Sequence, residues 1–186
     1  MEALLPAFIA VLLAEYDGKV QRNTDALALH FHNSRSILLA LITSTLGSLV
    51  FAAIAGALVA PLITYQARTL LLGLALVITG VTMIGVSQSA KRPVGNNSYM
   101  SSLWRFARVQ FSDNSQFLVF AIAARSDQPV LAGMGGLAAT LAAALPPLLL
   151  PGAWRTALPI AIIRRFISGG FILFGLWVAL GTLRLI

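Results

Sequence analysis

The sequence predicts an all-α integral membrane protein with six transmembrane helices arranged as two inverted three-helix repeats. Three observations predict this. Apolar residues make up 58% of the 186 residues and charged residues only 10%, against roughly 45–50% and 25% in soluble domains. Windows of about 20 apolar residues, enough to cross roughly 30 Å of hydrocarbon, fit six times along the chain. Finally, sliding the second half back by 95 residues aligns Gln21 with Gln116, Ala26 with Ala121, Ala28 with Ala123, Thr45 with Thr140, Leu46 with Leu141 and Gly80 with Gly175, without a gap. With three spans per half, an odd number, the second half enters the membrane in the opposite sense.

The first helix is placed at 3–29. Its opening run, Ala3 to Ala14, has the length of a signal-peptide core, but no basic segment precedes it and it flows directly into polar residues, so it reads as a mature helix. His32-Asn33-Ser34 ends it. The second helix, 36–60, stops at Pro61. The third, 66–86, gives way to a connection at 87–98 that contains Lys91, Arg92, Pro93 and Gly95. The fourth, 99–125, is closed by Asp127-Gln128-Pro129, and the fifth, 129–150, by Pro151-Gly152. The sixth occupies 158–182. The long connection divides a single membrane domain, 1–186, into repeat one (3–86) and repeat two (99–182).

The formal net charge of +7 would suggest nucleic acid if it formed a stripe on a polar domain, but the basic residues cluster at the ends of apolar segments, so no nucleic-acid partner is expected. The partner is the lipid bilayer. Arg35, Lys91, Arg92 and Arg155, with Arg105 and Arg164-Arg165 near the same boundary, lie opposite Arg68, Arg125 and Arg184. The positive-inside rule then puts the central loop in the cytoplasm and both termini outside, in a bacterial-type inner or plasma membrane. There is no cysteine, which excludes disulfides and thiolate metal sites. Oligomeric state is left open, a homo-oligomer being one option.

Two polar stretches interrupt hydrophobic spans at equivalent places: Glu15-Tyr16-Asp17-Gly18-Lys19-Val20-Gln21 and Gln110-Phe111-Ser112-Asp113-Asn114-Ser115-Gln116. Ionisable groups inside a bilayer are costly unless they are paired or face a watery cavity, so their recurrence marks a site for a polar substrate.

At these stretches the chain resembles the GDT family of membrane cation/proton antiporters, grouped with lysine-exporter-like transporters, whose repeats each carry E-x-G-D-[KR]-[TS], usually followed by Gln. In the first stretch Glu15, Lys19 and Gln21 match, while Asp17 and Gly18 stand in reversed order and Val20 replaces the hydroxyl residue. In the second Asp113, Ser115 and Gln116 match, whereas Gln110 replaces Glu, Ser112 replaces Gly and Asn114 replaces the basic residue. The motifs are therefore degenerate, with Glu15 surviving from one set and Asp113 from the other. The resemblance implies a six-helix protein that moves Ca2+ or Mn2+ in exchange for protons, the ion being cargo and no resident cofactor being needed.

Hard divalent cations take oxygen ligands, about 6–8 for Ca2+, and Glu15, Asp113, Gln110, Gln21, Gln116, Asn114 and Ser115 are the candidates. On unbroken helices Gln110, Asp113 and Phe117 share a face, as do Glu15, Gly18 and Arg22. Asp17 lies roughly 200° around an ideal helix from Glu15, but a kink at Gly18 would let it turn inward as a further ligand or toward a polar neighbour. Lys19, four residues after Glu15, can pair with it or couple charge to the site. Arg22, Asn23 and Asp25 are expected near the membrane boundary, where long side chains snorkel; Arg105 and Arg108 are expected to anchor. His30 and His32 offer imidazoles at a helix end, where neither metal binding nor proton relay is the common role.

These readings favour a secondary transporter exchanging a cation for protons, since proton and metal compete for one carboxylate site. A non-transporting or regulatory relative with a decayed ion site is the alternative. An intramembrane enzyme is disfavoured: Gly-x-Gly-Asp around the second acid, H-E-x-x-H and G-x-S-x-G are all missing.

Overall fold

All regular structure is helical among the described residues of the computed structural model, which are 2–30, 34–85, 99–126, 128–154 and 160–183. The elements are α1 (Leu4–Ala14), α2 (Lys19–His30), α3 (Ser34–Val59), a 3₁₀ turn (Ala60–Leu62), α4 (Tyr65–Ile84), α5 (Tyr99–Phe111), α6 (Asn114–Arg125), α7 (Pro129–Leu149) and α8 (Ile160–Thr182). Four segments are long and apolar enough to cross a membrane: Arg35–Leu62, Tyr65–Ile84, Pro129–Leu149 and Ile160–Thr182. His32, Asn33, the connection at 87–98 with Lys91, Arg92, Pro93 and Gly95, and Asp127, Arg155 and Arg184 lie outside the described residues.

The expected first and fourth helices are each broken in two, and both breaks fall on the polar stretches. In the first, Glu15 caps α1 through its N–H to Val11 O (2.8 Å), and the Gly18 N–H turns back to Glu15 O (2.7 Å). Asp17 takes a left-handed backbone, φ 52°, unusual for a residue with a side chain. Its backbone is held on both sides: its N–H donates to Gln21 Oε1 (2.8 Å) and its carbonyl accepts from Arg22 Nε (2.9 Å) and Nη2 (2.6 Å). In the second, Asp113 is extended and caps α6 by accepting from the Asn114 N–H (3.0 Å). Short polar side chains that bond nearby backbone stop helices in this way. The face-sharing expected of Gln110, Asp113 and Phe117, and of Glu15, Gly18 and Arg22, is lost with the continuous helices that it required.

Close approach of small residues holds the bundle together, as expected where lipid removes the hydrophobic drive between helices. The α4 and α8 helices run antiparallel in tight contact. A Cβ on Gly73 would stand 2.9 Å from Gly175 O, and one on Gly80 2.8 Å from Ser168 O. Ser168 Oγ donates to Gly80 O across this seam (2.6 Å). The α7 helix packs on α1 and on α3, and α3 in turn on α5 and α6. Large apolar side chains instead point outward, among them Leu62, Val81, Phe166, Leu173 and Trp177.

Helix α2 departs from expectation. Arg22, Asn23 and Asp25 are buried, not snorkelling at a boundary. Arg22 folds back on Asp17, and Asp25 accepts the N–H of Gly152 beyond the end of α7 (2.8 Å). Burial of this polar segment inside protein satisfies groups that lipid would leave bare.

Candidate cation site

Glu15, at the end of α1, is 1% exposed, and its carboxylate lies against Asp113 and Ser115 without a well-formed hydrogen bond to either oxygen. A buried carboxylate so poorly bonded stands out among the described residues, because such groups are normally satisfied. Its side chain lies over the break: a Cβ added at Gly18 would come within 2.8 Å of Glu15 Oε2 and 2.9 Å of its carbonyl. Glycine is needed at 18 because the carboxylate occupies that space. The immediate neighbours of Glu15 across the repeat boundary are Asp113 and Ser115. Ser115 Oγ is within 3.3 Å of Asp113 Oδ2. Two acids and a hydroxyl from the two polar stretches thus meet at the two helix breaks.

Lys19 joins the same place. Its Nζ donates to Ser112 O (2.5 Å) and lies 3.3 Å from Ser112 Oγ, tying the first break to the second. The expected helical pairing with Glu15 is not the bond made, since the break precedes Lys19 and redirects its amine. It remains a charge neighbour of both Glu15 and Asp113.

The other candidates are engaged elsewhere. Gln110, 1% exposed, has its Nε2 bonded to Thr45 Oγ1 (2.6 Å) and Ser44 Oγ (3.3 Å), while its Oε1 accepts from Ser48 (2.5 Å). Gln21 donates to Ala143 O (2.6 Å) and accepts from Asp17. Asn114 reaches across to Thr82 Oγ1 on α4 (2.5 Å). Gln116 keeps a buried carbonyl oxygen without a partner. Asp17 does turn toward polar neighbours: Arg22 Nε stands 3.4 Å from Oδ1 and Arg164 Nη1 3.3 Å from Oδ2. Arg164 also donates to Gly85 O at the end of α4 (3.1 Å). Among the described residues no group of three or more His, Cys, Asp or Glu gathers as a metal cluster. His30 is exposed, its Nδ1 3.1 Å from Ala26 O, and His32 lies outside the described residues. Arg108 is exposed, over the ring of Trp104.

Residue-by-residue reading missed the serine and threonine row on α3 and the role of Arg164, which it placed at a boundary. A signal for the row was present. Thr45 aligns with Thr140 at the 95-residue offset, and Ser44, Thr45 and Ser48 are polar residues within an otherwise apolar span.

Residues 98–184 match the family described as divalent cation/proton antiporter GDT1. The match covers a little under half of the chain, all of it in the second half. That match covers Asp113, Ser115 and Gln116 together with α5 to α8. No curated protein and no solved structure matches the chain. That partial match to an antiporter family and the four segments long and apolar enough to cross a membrane together support an integral membrane protein surrounded by lipid.

Proposed function

We propose that this protein belongs to the GDT family and is a secondary antiporter that exchanges a divalent cation, Mn2+ or Ca2+, for protons. The observation that carries the reading is the pairing of buried Glu15 with half-buried Asp113, one acid from each polar stretch, at two helix breaks. Divalent cargo suits two carboxylates, and hard cations accept the hydroxyl of Ser115 and the free carbonyl of Gln116 as further oxygen ligands. Protons and metal compete for the same oxygens, so a site exposed alternately to the two sides exchanges one for the other.

Under this reading α1 with α2, and α5 with α6, are the two halves of broken spans, completing six. Discontinuous helices meeting at mid-membrane are a recurrent transporter device. The antiparallel course of α4 and α8, and of α3 and α7, supports inversion of the second repeat. Lys19 is the charge neighbour of both acids, held beside them by Ser112. Asp17, Gln110, Gln21 and Asn114 serve as structural bonds around it, which narrows the ligand set expected from the motif. The central loop faces the cytoplasm.

That narrowing also favours a second reading, a non-transporting relative whose ion site has decayed. Flux assays in liposomes separate the two: Mn2+, Ca2+, Mg2+ and Na+ are offered singly while internal pH is followed. Cation-dependent proton counterflow is expected with Mn2+ or Ca2+; its absence with all four ions would leave the second reading.

A further inference from the structure

A threonine within a helix usually satisfies its hydroxyl by donating to the carbonyl one turn back. Here Thr24, Thr43, Thr69, Thr79, Thr82 and Thr182 all do so, at 2.7–3.0 Å. Thr140, in the middle of α7, does not. It is 1% exposed and its Oγ1 has no partner of any kind.

Three contacts locate the turn of α7 that carries that hydroxyl. A Cβ on Gly136, one turn before Thr140 on the same face, would meet Val119 Cγ2 of α6 at 2.7 Å. The short connection between α6 and α7 makes them antiparallel, so one turn further along α7 comes level with one turn back along α6, which is Ser115. From the other side, a Cβ on Gly135 would meet Leu4 O and Phe8 N of α1, whereas Ala143 O accepts from Gln21 beyond the break. The turn of α7 that holds Thr140 is therefore bracketed by residues before and after Glu15. Its counterpart at the 95-residue offset, Thr45, gives the same answer: Thr45 Oγ1 accepts from Gln110, and Gln110 is the counterpart of Glu15. In one half the amide and the hydroxyl are bonded; in the other, carboxylate and hydroxyl are both buried and the hydroxyl has no hydrogen-bond partner.

We infer that Thr140 Oγ1 is a further ligand of the transported cation, completing with Glu15, Asp113 and Ser115 an oxygen site assembled from α1, α6 and α7. This rests on the antiporter reading and adds to it a ligand outside both motifs. Neutral oxygen is the chemistry that remains once two carboxylates have balanced a divalent charge, and a hydroxyl supplies it without a proton to lose.

The test is Mn2+ binding to purified protein, followed by the electron paramagnetic resonance of the free ion, beside the melting temperature. Thr140→Val, equal in shape, is expected to weaken Mn2+ binding roughly 10-fold or more, the order seen when groups around a metal site are lost, with the melting temperature unchanged. Thr140→Ser should keep affinity near that of the natural protein. Unchanged affinity in Thr140→Val, or an equal loss in Thr140→Ser, overturns the ligand role while the antiporter reading stands. If Thr140→Val does not fold, Thr140→Ala supplies the same comparison without added bulk. Failure of the natural protein to bind Mn2+, and Ca2+ in a competition format, would instead overturn the reading on which the inference rests.

Discussion

At the Glu15 carboxylate, charge is the property that matters, because its oxygens make no well-formed hydrogen bond within the protein. Glu15→Gln and Asp113→Asn each remove a charge at nearly constant shape. Both are expected to bring cation-coupled proton flux in liposomes down to the protein-free background while the variants still insert and fold. Undiminished flux in both would move the site elsewhere. Gln110 behaves differently. By the family pattern alone, Gln110→Glu restores a missing ligand and should tighten divalent binding. Yet its amide nitrogen bonds Thr45 and Ser44, and a carboxylate has no hydrogen to give. The expected result is a loss of about 1–3 kcal/mol of stability, the usual cost of stranding buried polar groups, with no gain in Mn2+ affinity. Thermal unfolding in detergent together with a binding titration checks both parts.

At the level of elements, the two breaks govern the site. Gly18→Ala places a methyl group where Glu15 Oε2 and the Glu15 carbonyl now lie, at 2.8 and 2.9 Å. The side chain can swing aside but the carbonyl cannot, so the carboxylate should be displaced from Asp113. Weaker Mn2+ binding is expected, with α1 and α2 intact by circular dichroism; affinity equal to that of the natural protein would show that the break tolerates a side chain. The breaks also mark where the sequence was legible and where it was not. The four long apolar spans, the prolines and the position of both polar stretches can be read from composition and punctuation, and Gly18 pointed to a kink. What periodicity cannot deliver is the outcome at a break, because face assignments assume a continuous helix. Hence the partners that Asp17 finds, Arg22 and Arg164, and the turn of Lys19 to Ser112 were hidden, though a polar neighbour for Asp17 was expected: each depends on a residue distant in sequence or on a left-handed backbone. Burial of Arg22, Asn23 and Asp25 was hidden for a related reason. A polar helix flanked by apolar ones looks like a boundary until its partners on neighbouring elements are known.

For the whole molecule, the proposed exchange ties cation movement to pH. Protonated acids are poor ligands and ionised ones good, so Mn2+ should bind more tightly as pH rises until both acids are ionised. An inward proton gradient should then drive the cation outward, and a reversed gradient should reverse it. Liposomes loaded with Mn2+ and given gradients of either sign, at clamped membrane potential, report this directly. Cation flux indifferent to the gradient, with no proton counterflow, would describe a channel or uniporter instead.

The bonding of Gln110 to Ser44, Thr45 and Ser48 has a consequence for the ancestry of the molecule. If an early form was a pair of identical three-helix chains facing opposite ways, either chain could have done either job, and a change in one was a change in both. Under the inverted-repeat reading, joining the two copies in one chain lifts that constraint. The counterparts of Ser44 and Ser48 in the second half are Ala139 and Ala143, so the full hydroxyl row is present in the first half alone, where it bonds Gln110. On that reading the halves are complementary and not interchangeable: two copies of the first would pair Glu15 with the hydroxyl row, and two copies of the second would have no Glu15 at all.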